Sequence, residues 1–116
     1  MRFIGDIALD AEVRAIASGA ITDGAPVLVN SNGTVSTVAS ATLTTENFIG
    51  IANGVYADGQ KATIKIAGSI ARNISSTLTI GQQYFVQQNG SLGTSADSPS
   101  VIAGTAIGAS DLIVKG

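Results

Sequence analysis

An all-β fold is predicted for this 116-residue chain: a small antiparallel sandwich or barrel built from two related β units, with an extended N-terminal strand or arm. Three features predict it. Five Asn-Gly or Asp-Gly pairs punctuate the sequence, short runs rich in Val, Ile, Thr, Tyr and Phe lie between them, and one stretch of fifteen residues recurs in related form. Asx-Gly pairs tolerate the positive φ of tight hairpins. Short strands separated by turns every 8 to 12 residues or so point to a sandwich or barrel.

The first element is the N-terminal segment, whose residues alternate. Phe3, Gly5, Ile7, Leu9, Ala11 and Val13 fall on one side, and Arg2, Ile4, Asp6, Ala8, Asp10, Glu12 and Arg14 on the other. The pattern is that of a strand or extended arm, although Asp10 to Ala17 also reads as a short amphipathic helix; the strand fits the alternation better. Residues 1–16 are set apart on this ground, and 17–116 form a single β domain. A half-apolar strand at a chain terminus adds to the sheet edge of another protein, or is simply the first strand of its own domain. Both readings stay open here. Gly5 and the stretch from Ala15 to Gly19 supply the freedom an arm needs.

Strands are then predicted at Pro26 to Asn30, Thr34 to Val38, Phe48 to Ala52, Ala62 to Ala67, Gln83 to Gln88 and Leu112 to Lys115. In the fourth of these, Ala62, Ile64 and Ile66 share one face while Thr63 and Lys65 share the other. The turns between them are Asp23-Gly24, Asn32-Gly33, Asn53-Gly54, Asp58-Gly59 and Asn89-Gly90.

The repeat organises these elements. Residues 21–35 align without gaps on residues 78–92, sharing Thr22/Thr79, Gly24/Gly81, Val29/Val86, Asn32/Asn89 and Gly33/Gly90, where chance gives about one identity. Each copy continues into a small-residue strand, FIGIANG at 48–54 and VIAGTAIG at 101–108. A closing strand follows, ATIKIAG at 62–68 and LIVKG at 112–116, so the units span 21–67 and 78–116. One unit cannot bury both faces of its sheet, but two can pack face to face or close into a barrel. Gly50 and Gly104, at matching places, predict a bulge, a bend or a close backbone approach.

Composition narrows the chemistry. The chain has no Cys, His or Trp, which removes thiolates and lowers the prior for imidazole bases and for most zinc or iron sites. Charged residues make up 12%, about half the usual share, and the net charge of −2 carries no basic run. Phosphate neutralisation on nucleic acid is therefore not expected. No stretch reaches the roughly 18 apolar residues of a membrane span, and the acidic N-terminus does not match a signal peptide.

Eight carboxylates remain, and Asp23, Asp58 and Asp97 sit in Gly- or Pro-bearing turns that favour Asp for its own backbone hydrogen bonds. A glycosidase would need two facing carboxylates and aromatic sugar platforms, and the chain has only Phe3, Phe48, Tyr56, Tyr84 and Phe85. Gly54 to Lys61 only faintly resembles a phosphate-binding loop, because Gln60 separates the second Gly from the Lys and a strand follows. The sequons at Asn32, Asn73 and Asn89 are read as coincidence, two of them being the repeated hairpin turns. The expectation is a non-enzymatic protein without cofactor or metal.

The combination GAITDGAPVLVNSNGTVSTVA, ENFIGIANG, DGQKATIKIAGSI, LTIGQQYFVQQNGSL and SADSPSVIAGTAIGASDLIVKG resembles a recurring module of virion structural proteins of tailed bacteriophages. The likeness covers about residues 17 to 116 and is most specific from Ser98 to Gly116. It implies a virion component, assembled in the host cytoplasm, because such modules occur in tail-fibre, neck and head-associated proteins. With only about sixteen residues before the module, the chain looks most like a capsid decoration, or cement, protein. Proteins of that type are commonly homotrimers that bind the major capsid protein, with terminal arms augmenting its strands. The resemblance supplies no catalytic residues to carry over, and from composition neither a nucleic-acid nor a membrane partner is expected. An arm role falls on Arg2, Phe3, Ile4, Ile7, Leu9 and Val13. The alternative it leaves is a tail-fibre, neck or head-fibre module that attaches to a receptor or glycan.

Overall fold

The structure is a computed structural model that describes residues 11–38, 42–74 and 77–115. Its strands are β1 (Glu12–Ile16), β2 (Pro26–Val29), β3 (Val35–Thr37), β4 (Phe48–Ala52), β5 (Lys61–Lys65), β6 (Ile70–Ala71), β7 (Gln83–Val86), β8 (Leu92–Gly93), β9 (Ile102–Ala106) and β10 (Leu112–Val114). There is no α-helix among the described residues. The strands form two antiparallel five-stranded sheets, ordered β1-β5-β4-β2-β3 and β6-β10-β9-β7-β8. The order is the same in both, so the sequence repeat is a repeat of sheets.

The repeat also extends further back than the aligned residues. β6 occupies in the second sheet the place β1 occupies in the first, pairing with the closing strand. Of the segment Asp10 to Ala17, Glu12 to Ile16 form a strand and not a helix.

The two central hairpins are built alike. Gly33 N donates to Asn30 O at 2.9 Å and Asn30 N to Thr34 O at 2.8 Å; Gly90 N donates to Gln87 O and Gln87 N to Ser91 O, both at 2.9 Å. Gly33 and Gly90 have φ of 86° and 89°, whereas among the described residues no other residue type has positive φ. Only the glycine of each Asn-Gly pair takes the left-handed conformation, as in a type I turn closed by a glycine bulge. Asn32 Oδ1 accepts from the amide and hydroxyl of Thr34, and Asn89 Oδ1 from those of Ser91.

Gly50 and Gly104 meet two of the three expectations, the bulge and the close backbone approach. Val27 pairs with Gly50 and Leu28 with Phe48, which leaves Ile49 as the extra residue of a bulge. Tyr84 pairs with Gly104 and Phe85 with Ile102, which leaves Ala103 in the same position. A Cβ on Gly50 would overlap the carbonyl oxygen of Lys65, and one on Gly104 that of Ile113. The neighbouring closing strand approaches too closely for any side chain.

The buried side chains fall into two clusters where the length alone suggests one core. The smaller holds Ala17, Ile21, Val27, Val35, Ala52, Ala62 and Ile64, all from the first unit and the segment leading into it. It is enclosed because the chain leaving β1 crosses to the opposite sheet edge, where Ala17 bridges Val35 in parallel and Ser18 N donates to Val35 O at 2.7 Å. The first sheet is thereby curled nearly closed. The larger cluster joins Leu28, Val38, Leu43 and Ile51 of the first unit to Tyr84, Val86, Ala103, Leu112 and Val114 of the second. The first sheet is thus buried on both faces and the second on one.

Candidate interaction edge and the junction of the sheets

β1 is an outer strand of the first sheet. Among the described strands it pairs only with β5, antiparallel, from Glu12 opposite Lys65 to Ile16 opposite Lys61. Its alternation places Val13, Ala15 and then Ala17 on the face that lines the smaller cluster. Burial deepens along this row: Val13 is 38% exposed, Ala15 packs against the cluster, and Ala17 is 2% exposed. On the other face Glu12 reaches the nearly buried Lys65, carboxylate oxygen to Nζ at 3.1 Å. Ile16, on that face, is 43% exposed. Short length and flanking charges such as Arg14 and Lys61 keep this edge from being an indiscriminate template for aggregation.

Among the six residues singled out in the sequence, Val13 lies in β1 opposite Ile64 of its own chain. Arg2, Phe3, Ile4, Ile7 and Leu9 lie outside the described residues. Sequence reasoning passed over Ile16 and the Glu12–Lys65 pair. The signal was available in part, since Lys65 lies between Ile64 and Ile66 and asks for a counter-charge.

Two of the three turn carboxylates, Asp58 and Asp97, accept from backbone amides. Asp58 Oδ1 accepts from Gly19 N at 2.7 Å, which ties the 58–59 turn to the segment after β1. Asp97 accepts from Gln88 N and Ser98 N, each at 2.8 Å. These two N–H groups, Gln88 first, hold the Asp97 carboxyl below the ordinary carboxylate value. The 54–61 segment leads straight into β5, so its Lys61 opens a strand and not a helix. Among the described residues, no three His, Cys, Asp or Glu side chains gather in a metal-binding group.

A second feature lies where the units meet. An open pocket of 230 Å³ is lined by the Thr22 to Pro26 turn of the first unit, by Ile74, and by the Asn89 to Leu92 turn of the second. Behind that turn the Asn73 amide donates to Asp23 Oδ1 and, at 3.0 Å, to Ala52 O. Asn73 Oδ1 is buried without a partner. The pocket presents hydroxyls, amides and one carboxylate, a hydrogen-bonding surface without a paired acid and base.

The outward face of the second sheet carries an apolar group beside the polar pair Gln83 and Thr105. Cross-strand pairing aligns Phe85 with Ile102, and Ile70 with Ile113. Ile102 is 40% exposed and the other three are half-buried. The matching face of the first sheet, with Leu28 and Ile51, is sealed against the larger cluster. No known family model matches the chain, and no curated protein matches its sequence.

Proposed function

We propose that this chain is a non-enzymatic structural protein of a tailed-phage virion, a decoration protein that stabilises the head by binding the major capsid protein. The observation that carries the reading is the outer strand β1, which continues the alternation of the N-terminal segment and whose Val13 and Ile16 are solvent-exposed. Residues before Ala11 add as a strand to a capsid edge, while β1 anchors them to the body through β5. Each such backbone bond contributes only about 1 kcal/mol net, so several arms acting together are needed, and avidity provides them.

A homo-oligomer, a trimer in the resembling group, fits the half-open face carrying Phe85 and Ile102, because its counterpart in the first sheet is a covered face. The low charge suits a surface buried between copies. Attachment to a receptor or glycan is less well supported. Tyr84 is in the core with its hydroxyl accepting from Thr79 N at 2.8 Å, and the Tyr56 hydroxyl is held by Asn53 O at 2.7 Å. Neither ring is free as a stacking platform.

The test is quantitative mass spectrometry of intact virions, together with a variant lacking residues 2–10, which spares β1. A ratio near one copy per major capsid protein, and loss of capsid binding by the shortened but folded variant, would support the reading. A few copies per virion would move the protein to the tail or neck. Unchanged capsid affinity of the shortened variant would refute the arm mechanism.

A further inference from the structure

The five Asx-Gly pairs are not equivalent. In four of them the glycine N–H is engaged by a backbone carbonyl: Gly24 by Ala52 at 3.0 Å, Gly33 by Asn30 at 2.9 Å, Gly59 by Ala17 at 2.8 Å and Gly90 by Gln87 at 2.9 Å. Gly54 N has no such partner among the described residues. The asparagine side chains divide in the same way. Asn32 and Asn89 each accept two hydrogen bonds through Oδ1, whereas the exposed Asn53 side chain makes none among the described residues.

We propose that Asn53-Gly54 is a site of spontaneous covalent modification, at which Asn53 loses its amide through a cyclic imide while Asn32 and Asn89 are protected. Solvent base removes the proton from Gly54 N, and that nitrogen attacks Cγ of Asn53. A C–N bond forms, and the side-chain nitrogen leaves as ammonia. Water then opens the ring at either carbonyl, giving aspartate or isoaspartate at position 53. The Tyr56 hydroxyl donates to Asn53 O, the carbonyl of the peptide unit that must lose its proton. A hydrogen bond to the atom that takes up the negative charge favours the deprotonated form.

At Asn32 and Asn89 the same step first requires release of the glycine N–H and of both bonds to Oδ1. Three bonds of ordinary net strength correspond to about a hundredfold in rate. The product adds a negative charge to the β4–β5 connection, and an isoaspartyl linkage lengthens its backbone where Tyr56 bridges Ile21.

The experiment is incubation of the native protein at mildly alkaline pH, with peptide mass spectrometry at the three Asn-Gly pairs and a parallel sample in denaturant. The expected result is amide loss at Asn53 at least about tenfold faster than at Asn32 or Asn89 in the folded protein, with the difference disappearing on unfolding. Ammonia release should fall to the slow background in Asn53→Gln. Equal rates at the three sites in the folded protein, or faster loss at Asn32 or Asn89, would overturn the assignment. So would a selectivity for Asn53 that survives in denaturant.

Discussion

Glycines 50 and 104 show how much of this fold is decided by the absence of a single carbon. Each faces a carbonyl oxygen of the adjacent closing strand, Lys65 in one sheet and Ile113 in the other. Replacing either by Ala forces that strand away, and overpacking of this kind costs about 1–3 kcal/mol. Gly50→Ala and Gly104→Ala should each lower the denaturant midpoint without changing the slope. A shift no larger than that of an exposed-site substitution would show that the sheet can relax around the added methyl.

Asp97 carries the pH dependence at this scale. Its folded-state pKa lies below the ordinary 3.8 because Gln88 and Ser98 N–H groups stabilise the charged form. Just below 3.8 the unfolded chain therefore binds more protons than the folded one. The contribution of Asp97 to stability is present above that value and is lost as pH falls through the folded value. Stability measured down this acidic range should decline less steeply in Asp97→Asn, where the titrating group is gone. An unchanged slope would mean that the carboxylate and its two amides do not report on folding.

Elements were legible in the sequence to the degree that their residues interact locally. The paired hairpins follow from Asn30 to Thr34 and from Gln87 to Ser91, whose bonds stay within five residues, and the strands flanking them were evident from β-branched runs. β6 was not legible. Ile70-Ala71 is too short for a period, and it is a strand only because Ile113 and Leu112 lie opposite it. Ala17 was hidden for a similar reason, since its burial depends on Val35 at the far edge of the sheet.

The candidate edge was half legible. Alternation identified the N-terminal strand, but only the structure gives its partner β5 and the ion pair that anchors it. Glu12→Gln should therefore cost about 1–3 kcal/mol, because it replaces a charge-assisted contact to the nearly buried Lys65 ammonium by a neutral one. Arg14→Gln, on the same exposed strand, should stay within about 0.5 kcal/mol of wild type. Equal effects in thermal unfolding would remove β1 as an anchored element.

At the scale of the whole molecule, the uneven burial of the two sheets has a direct consequence for assembly. Ile102→Lys places a charge on the open apolar face while leaving both clusters untouched. Sedimentation should show weaker self-association with the circular dichroism of the fold retained. Association as tight as that of the unmodified chain would assign the contact to another surface.

The near-closure of the first sheet bears on the order in which the molecule comes apart. Its smaller cluster draws on no residue beyond Ile66, whereas the larger depends on Leu28, Val38, Leu43 and Ile51 as well as on the second unit. The second unit therefore has no core of its own to retain once the sheets separate, and the first does. In native-state hydrogen exchange the amides of β9 and β10 should open to solvent in a sub-global step while those of β4 and β5 stay protected until global unfolding. A duplicated sheet has become a host and a dependent, with Ala17 holding the host shut.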